Sequence, residues 1–590
     1  MKLRHELALV LLLLLISAPP RLLGLDSLPP GLWHDEAYEG IDAVRIVAGA
    51  RPVFLPENYG REPLYAYVMA GLIALGGPGV VAVRATSALF GLVTIPAAYF
   101  WGRVFFGPAV GLLTAALTAA SYWLLQESRL GMRPIALPLF LALASGFVWL
   151  AARRGRPWAW PLAGVCLGLS LYTYLPARLF PLVIVGQALL GLRARRCAER
   201  AAIPGLAVLV AVAVLVALPL ILYLAANTED ASARSSVVSI FASEGGRADP
   251  LGTLGRTFLL NLGMFVWRGD DTLRHNLPYR PVFDWLIAPF FLVGLGLGLR
   301  RFRRPEYAGL WLWLTVMLVP GLLSDGAPHF LRSIGLLPAL FALPAVGLLA
   351  TASRTLRALA ERERAGRAGL LPAALLVVFL GLSQSLTWRD YFLELPRQPG
   401  LAETFDAPRA DLARVAGDPP PGLDLDLPTP GWSYATIRFL RPRSFSPPAP
   451  PQPAQARFGA NAVLLGYGLE PAPASPGQPA RLTLYWRALR EMGASYVETA
   501  RVVDTYGRVW WQRDGLPGFG TLPTDTWMPG EFVSDRATLE LDPGTPPGEY
   551  QLEIALAQPG GGRRLPVYDP AGRQLGVSVK LPGIDVRSPG

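Results

Sequence analysis

Several side chains that could do chemistry lie close together between residues 25 and 79. Asp35 and Glu36 are adjacent in the segment WHDEAYEG, and Glu62 follows in GREPLYAY. Grouped carboxylates can take a proton from a hydroxyl group, and their oxygens are also the ligands that hard divalent cations prefer. Alternatively, Asp35 is only the N-terminal cap of a helix, and the other acids form the solvent-exposed face of that helix.

A second set of candidates consists of cations in short connecting loops. Arg129 and Arg133 lie in ESRLGMRP, Arg178 in YTYLPAR, and His329 and Arg332 in HFLRS. The planar guanidinium group of arginine fits a phosphate group well. These arginines could instead pair with carboxylates of the same protein, and the two alternatives stay open at this point.

These candidates must be positioned by membrane-spanning helices. The chain of 590 residues is 52% hydrophobic and only 16% charged, against about 25% charged in a soluble domain. A span needs roughly 20 apolar residues. The apolar runs predict eleven spans, near residues 7–24, 80–101, 109–126, 134–151, 159–174, 177–192, 203–225, 283–299, 308–323, 332–351 and 369–387.

The charge distribution predicts the orientation of these spans. Residues 1–389 have a net charge of +14 and residues 390–590 one of −3. Arginine clusters at 153–156, 193–200, 300–304 and 354–367 all lie on the cytoplasmic side if the N-terminus is cytoplasmic and the first span is an uncleaved anchor. The first loop, residues 25–79, and everything after residue 388 are then outside. This pattern indicates a multi-pass membrane protein without a nucleic-acid partner.

The composition changes after residue 388. We predict a membrane domain over 1–388, a small α/β or irregular segment over 389–440, a Pro-rich linker over 441–455 and an extracytoplasmic β-sandwich-like domain over 456–590. The last part contains short β-like runs separated by turn residues. Its tryptophans either form the core or stack on sugar rings. They are Trp486, Trp510, Trp511 and Trp527.

At WHDEAYEG and GREPLYAY, the sequence resembles the membrane glycosyltransferases of the GT-C fold. Among these enzymes, the sequence is most similar to the superfamily of bacterial protein mannosyltransferases and aminoarabinose transferases, which is like glycosyltransferase family 39. The resemblance covers roughly residues 1–390. Its motifs are the Asp35-Glu36 pair, Glu62-Pro63-Leu64-Tyr65, the turn with Arg129 and Arg133, and the turn with His329 and Arg332. Relatives often have Lys or His among the phosphate-contacting residues, whereas this loop has Arg61 before Glu62.

The resemblance implies a glycosyltransferase in the bacterial cytoplasmic membrane that takes a sugar from a polyprenyl-phosphate donor at the outer face. Asp35 would be the base, helped by Glu36 or Glu62. The donor phosphate would be bound by Arg129, Arg133, Arg178 and Arg332, with His329 as a neutral donor or supporting partner. The substrate would be lined by Trp33, His34, Tyr38, Tyr65 and Tyr172.

A polyprenyl phosphate is already a good leaving group, so the reaction needs a base and positive charge rather than the two carboxylates of a glycosidase. Direct attack on the anomeric carbon would invert its configuration. The partners would be membrane lipid, the lipid-linked donor and an acceptor that is a protein, a lipid or a glycan. The resemblance implies no required metal or cofactor, although Asp35, Glu36 and Glu62 could hold a divalent cation.

Two other classes of protein fit the same composition. A transporter or flippase for lipid-linked sugars would also have many spans with charged residues between them. Such proteins often show inverted repeats, and we find no internal repeat in this sequence. A non-catalytic membrane protein with a glycan-binding outer domain is the third alternative.

Overall fold

The computed structural model describes residues 2–195, 199–231, 239–242, 247–360, 370–414, 434–441, 443–444, 446–520, 522–558 and 562–588. By compactness the chain divides into two units, Met1–Phe405 and Asp406–Gly590. Parts of two predicted cytoplasmic arginine clusters, 196–198 and 361–369, lie outside the described residues, as do residues 415–433 of the predicted α/β segment and residues 442 and 445 of the predicted linker.

The first unit is helical. Its helices are α1 Leu3–Leu22, α2 His34–Val47, α3 Leu64–Gly76, α4 Val80–Phe106, α5 Pro108–Ala120, α6 Tyr122–Ser128, α7 Leu137–Arg154, α8 Ala159–Ser170, α9 Phe180–Arg195, α10 Glu199–Ala226, α11 Pro250–Gly263, α12 Ala288–Arg300, α13 Pro305–Leu322, α14 Ala342–Ala360 and α15 Leu370–Arg389. Arg133–Ala136, just before α7, is a 3₁₀ turn.

Five of the described helices are long and apolar enough to cross a membrane, or six if α5 and α6, bent by 58°, form one broken span. Four further apolar helices or helical segments have only 10–17 residues. The multi-pass helical class is therefore supported, while the count of eleven spans and their orientation stay predictions. The predicted span 332–351 begins late, because Pro338 lies between two 3₁₀ turns and regular helix starts only at Ala342.

Polar contacts fasten α1 into this helical unit. Glu6 Oε2 lies 2.7 Å from Arg103 Nε of α4, and Glu6 also accepts a hydrogen bond from Tyr99. At the other end of α1, the buried Arg21 donates to the carbonyl oxygen of Ala119 at 3.1 Å. Both ends of α1 are thus held by side chains of this unit.

The second unit contains two antiparallel sheets. The strands are β1 Gln452–Phe458, β2 Ala462–Glu470, β3 Pro479–Ala488, β4 Val497–Val503, β5 Val509–Gly515, β6 Phe532–Glu540, β7 Gly548–Ala557, β8 Val567–Tyr568, β9 Gln574–Gly576 and β10 Val579–Val586. One sheet has the order β6-β3-β2-β1-β8-β9 and the other β10-β7-β4-β5. Alternate residues of β3, such as Leu482 and Leu484, enter a core shared by both sheets.

One boundary of this unit differs from the sequence-based expectation, and burial decides between the two alternatives for its tryptophans. Strand β1 begins at Gln452, inside the predicted linker, because Ala456 and Phe458 are buried and pair with β2 after an irregularity that follows Pro453. Trp486 and Trp527 are fully buried core residues, which makes them unable to stack on a sugar. Trp510 and Trp511 are partly buried and also pack against the core.

Candidate active site

The start of α2 is fixed by Glu36 rather than by Asp35. Glu36 Oε2 accepts the backbone N–H of Trp33 at 3.1 Å, and Oε1 accepts that of Gly131 at 2.8 Å. The same carboxylate pairs with Arg84 of α4 at 3.1 Å, and both side chains are completely buried. A side chain at position 131 would clash, since a Cβ there would lie 2.2 Å from Val83 Cγ1. Glu36 is therefore a structural anchor of the helix.

Arg84 also shapes the chain that leads into α2. Its Nη1 atom donates to the carbonyl oxygens of Leu25 and Pro29 at 2.9 and 2.6 Å, and its Nη2 atom donates to that of Gly31 at 2.9 Å. One guanidinium thus connects this segment to Glu36. Removing one partner of such a buried ion pair typically costs about 3–5 kcal/mol.

Asp35 has a different environment from its neighbour. Its side chain is 15% exposed, and its Oδ1 atom accepts a hydrogen bond from Asn58 Nδ2 at 2.5 Å. His34 Nε2 lies 3.6 Å from the same oxygen. Both polar contacts that the structure describes for this carboxylate end on Oδ1. Neither of these contacts involves the Oδ2 atom.

Asn58 reaches Asp35 because its loop has an unusual backbone. Asn58 and Tyr59 have φ values of 54° and 63°, in the left-handed region that non-glycine residues rarely adopt. The loop is closed by two backbone hydrogen bonds between Leu55 and Arg61, of 2.9 and 2.7 Å. Backbone strain of this kind is concentrated at functional sites.

The next acids of α2 are buried, which argues against the alternative that they form a solvent-exposed face. Glu39 and Asp42 are 0% and 2% exposed. Arg61 forms an ion pair with Asp42 and lies 3.6 Å from Glu39. Burial raises the pKa of Glu39 and of Asp42, and the opposite charge of Arg61 counteracts that rise. The acids can be buried because arginines from other segments of the chain form ion pairs with them.

The same network takes up two of the predicted phosphate ligands. Arg133 bridges Glu39 and Glu62, with N···O distances of 3.2 Å to each carboxylate. Arg178 lies 3.8 Å from the second oxygen of Glu62, and its side chain is 35% exposed. The Nε and Nη1 atoms of Arg133 thus both contact acids, whereas Arg178 retains an exposed side.

Arg129 forms hydrogen bonds with the backbone at the start of the first loop. Its two terminal nitrogens donate to four carbonyl oxygens between Pro20 and Leu28, at 2.8–2.9 Å. The guanidinium also lies over the rings of Tyr391 and Phe392. Because both terminal nitrogens are occupied, we leave Arg129 out of the set of direct phosphate ligands.

The turn with His329 and Arg332 meets the loop between α11 and α12. His329 Nδ1 lies 3.7 Å from Asp270 Oδ2 and its ring lies 5.0 Å from that of His275. Arg332 is partly exposed and donates to the carbonyl oxygen of Asp325. Burial raises the pKa of Asp270 to about 6, against hydrogen bonds from the backbone N–H groups of Phe330 and Thr272.

The five predicted lining residues fall into two groups. Trp33, His34 and Tyr38 lie within three residues of Asp35 in the chain, and His34 contacts it. Arg274 lies 4.1 Å from the centre of the Trp33 ring, and Arg61 lies 5.5 Å from that of Tyr38.

Tyr65 and Tyr172 instead hold helices together. The hydroxyl group of Tyr65 forms hydrogen bonds with the carbonyl oxygen of Val83 and the hydroxyl group of Ser87, both in α4. The hydroxyl group of Tyr172 bonds both Val216 and Leu220 within α10.

The carboxylates named as metal ligands do not converge. Glu36 is paired with Arg84 and Glu62 with Arg133. Within the described ranges, no group of three or more His, Cys, Asp or Glu side chains has a geometry that could hold a metal ion.

Sequence reasoning missed the residues that orient these groups. Asn58, Arg84 and Asp270 lack a local motif that singles them out, although PENYG has the composition of a left-handed turn. His275 was visible as one of the chain's four histidines. The partnership of His275 with a carboxylate of α6 depends on tertiary contacts alone.

Residues 60–229 match the family model described as dolichyl-phosphate-mannose-protein mannosyltransferase. This range includes Glu62, Arg129, Arg133 and Arg178 and confirms the predicted resemblance for this part of the chain. A search of curated proteins returned no significant match.

Several solved structures are similar to the chain. The oligosaccharyltransferase AglB from Archaeoglobus fulgidus, in complex with an inhibitory peptide and a dolichol-phosphate, is 18% identical, with 71% of this chain and 58% of that chain covered and a TM-score of 0.46. ArnT from Cupriavidus metallidurans, bound to undecaprenyl phosphate, is 15% identical, with 74% and 85% covered and a TM-score of 0.45. The chain thus spans 58% of the length of AglB.

Proposed function

We propose that the chain is an inverting glycosyltransferase that moves a sugar from a polyprenyl-phosphate donor to an acceptor hydroxyl group at the outer face of the cytoplasmic membrane. The observation that carries this proposal is the contrast between two adjacent carboxylates. Glu36 is completely used in structure, whereas Asp35 is oriented by Asn58 through one oxygen and presents the other. The family match over residues 60–229 supports the same class of reaction.

In this proposal Asp35 is the general base. It takes the proton of the acceptor hydroxyl as the acceptor oxygen attacks the anomeric carbon. The bond from that carbon to the phosphate oxygen breaks on the opposite side, and its electron pair leaves with the phosphate. A single displacement of this kind inverts the anomeric configuration.

The donor phosphate is bound by the cations that keep an open side. Arg178 and Arg332 are partly exposed, and His329 lies beside Arg332 in the same turn. Arg133 and Arg129 act through structure, by holding Glu39, Glu62 and the start of the first loop in place. In the low dielectric of such a site, fixed positive groups stabilise the charge that develops on the leaving phosphate.

The substitution Asp35→Asn tests this function. We expect a loss of transfer of about 10²–10⁴-fold, the usual contribution of a general base, with binding of the donor retained. Membranes containing the full chain would receive labelled polyprenyl-phosphate mannose and polyprenyl-phosphate aminoarabinose, the donors that the resemblance implies. Asp26→Asn is the matched control, because Asp26 is an exposed carboxylate of the same loop.

Two outcomes would contradict the proposal. Undiminished transfer by the Asp35→Asn protein would remove Asp35 from the role of base. Movement of the lipid-linked sugar across the membrane without a new glycosidic bond would indicate a transporter.

A further inference from the structure

Behind the turn with His329 and Arg332, four ionisable side chains follow one another. Glu127 Oε1 of α6 lies 3.2 Å from His275 Nδ1. The His275 ring lies 5.0 Å from the His329 ring, and His329 Nδ1 lies 3.7 Å from Asp270 Oδ2. We call Glu127, His275, His329 and Asp270 the histidine file.

Only one member of the histidine file reaches an open space. The side chains of Glu127, His275 and Asp270 are 0%, 2% and 1% exposed, whereas that of His329 is 16% exposed. Any ligand that exchanges a proton with the file must therefore meet His329. The two buried carboxylates and His275 can act on such a ligand only through it.

The buried end of the file needs a proton. Glu127 Oε2 has no hydrogen-bond partner within the part of the chain that the structure describes. An ionised carboxylate is costly to bury unless it is paired and hydrogen-bonded. A proton shared between Glu127 and His275 removes most of that cost. The distance of 3.2 Å allows such sharing.

We propose that Glu127, His275 and Asp270 are positioning residues that keep a proton on the histidine file, and that His329 gives this proton to the departing polyprenyl phosphate. This inference rests on the proposed function. It goes beyond the expectation of His329 as a neutral donor, and it assigns a role to three buried residues that the transfer mechanism does not otherwise use.

The chemistry balances without a further reactant. The donor is a phosphodiester with one negative charge, and the released phosphomonoester would carry up to two, because its second pKa is about 6. The acceptor proton goes to Asp35, and the proton of His329 goes to a phosphate oxygen. Water then returns the proton from Asp35 to His329. The ordinary pKa of a histidine ring, about 6.5, is close to the second pKa of such a phosphate.

The charges around the file act in both directions. Glu127 and Asp270 face the two rings and favour a bound proton, with Asp271 next to Asp270. Burial, together with the positive charges of His329, Arg274 and Arg332, lowers the pKa of His275. The two carboxylates therefore keep the proton on the file, while burial and the neighbouring positive charges allow it to be given away.

The four histidines of the chain make the proposal measurable. Full-length protein labelled with ¹⁵N-histidine gives four sets of ring signals, which single His→Gln variants assign. We expect added polyprenyl phosphate to move the signals of His329 and His275 together. We expect Glu127→Gln to shift the titration midpoint of His329 to lower pH by about one unit, because a nearby carboxylate favours the protonated ring.

Kinetics provide the second measurement. The kcat of transfer should fall at high pH along a limb whose midpoint is that of His329, and Glu127→Gln should move this limb by the same amount. Asp270→Asn should move both midpoints in the same direction and replaces Glu127→Gln if that variant does not fold. His5→Gln, at an exposed position of α1, is the matched control and should change neither.

Unchanged His329 midpoints in both carboxylate variants would overturn the proposal, and so would a His275 signal that ignores the lipid phosphate. These results are distinguishable from failure of the proposed function. If Asp35→Asn abolishes transfer while the midpoints stay constant, only the histidine file is refuted. If the protein binds no polyprenyl phosphate, the proposed function fails, and titration without ligand still tests the coupling between Glu127 and the two rings.

Discussion

At the scale of single residues, the site separates side chains of the same type by their partners. Asp35 and Glu36 are neighbours in sequence, yet one is partly exposed and the other is fixed by Arg84, Trp33 and Gly131. Side-chain chemistry alone could not assign their roles, since either carboxylate could serve as a base. The surroundings of each carboxylate decide between them.

This separation predicts opposite effects for two conservative substitutions. Glu36→Gln should lower the thermal unfolding midpoint clearly, because it leaves Arg84 buried beside a neutral group, a change that typically costs about 3–5 kcal/mol. Asp35→Asn should leave that midpoint nearly unchanged while abolishing transfer. Thermal unfolding of both proteins in the same detergent, with parallel transfer assays, checks this. Equal midpoints for the two proteins would contradict the assignment of Glu36.

At the scale of elements, the sequence predicted helices better than it predicted their buried faces. Ala37 and Ile41 stand at helical spacing in this segment, and both are buried in α2. The same spacing places Glu39 and Asp42 off the apolar stripe and therefore in solvent, because hydropathy cannot show that Arg61 and Arg133 arrive from other segments. The β-strands were located by turn residues, and β1 was missed because its prolines resemble a linker.

Asp270 makes the stability of the loop between α11 and α12 dependent on pH. Burial raises its pKa from 3.8 to about 6, so the folded chain keeps a proton that the unfolded chain has released. Stability should therefore fall as pH rises from about 4 to about 6. Each pKa unit corresponds to about 1.4 kcal/mol, which gives an upper limit near ~3 kcal/mol for this group.

The measurement is the thermal unfolding midpoint at steps of pH between 4 and 7. The wild-type midpoint should decrease across this range, and the Asp270→Asn midpoint should decrease less, although that variant loses a hydrogen bond from a backbone N–H at every pH. Parallel curves for the two proteins would show that Asp270 does not titrate in this window.

At the scale of the whole molecule, the boundary between the two units differs from the predicted one. The first unit continues to Phe405, past the predicted end at residue 388. Tyr391, Leu395 and Phe405 are buried in a cluster that also contains Trp33. The chain that follows the last long helix thus packs against the N-terminal end of α2. Composition could not reveal this, because the segment has the Pro and Gly content of a connection.

The second unit should depend on its buried tryptophans and not on its exposed aromatic residues. Trp486→Ala removes a fully buried ring and should destabilise the full chain by about 3–5 kcal/mol. Tyr506→Ala, at a side chain that is 95% exposed, should change stability by less than about 0.5 kcal/mol. Limited proteolysis of the full-length protein, followed by mass spectrometry of cleavage sites after residue 450, would compare the two. Equal susceptibility of both variants would contradict the core assignment of Trp486.

The four carbonyl contacts of Arg129 have a consequence for the order of synthesis. The oxygens belong to residues between Pro20 and Leu28, about a hundred positions earlier in the chain. At about 5–20 residues per second, the ribosome adds Arg129 roughly 5–20 s after Leu28. Arg84 and Gly131, which hold Glu36, also emerge after the segment that they fix. The first loop can therefore adopt its folded conformation only after residue 131 has been synthesised.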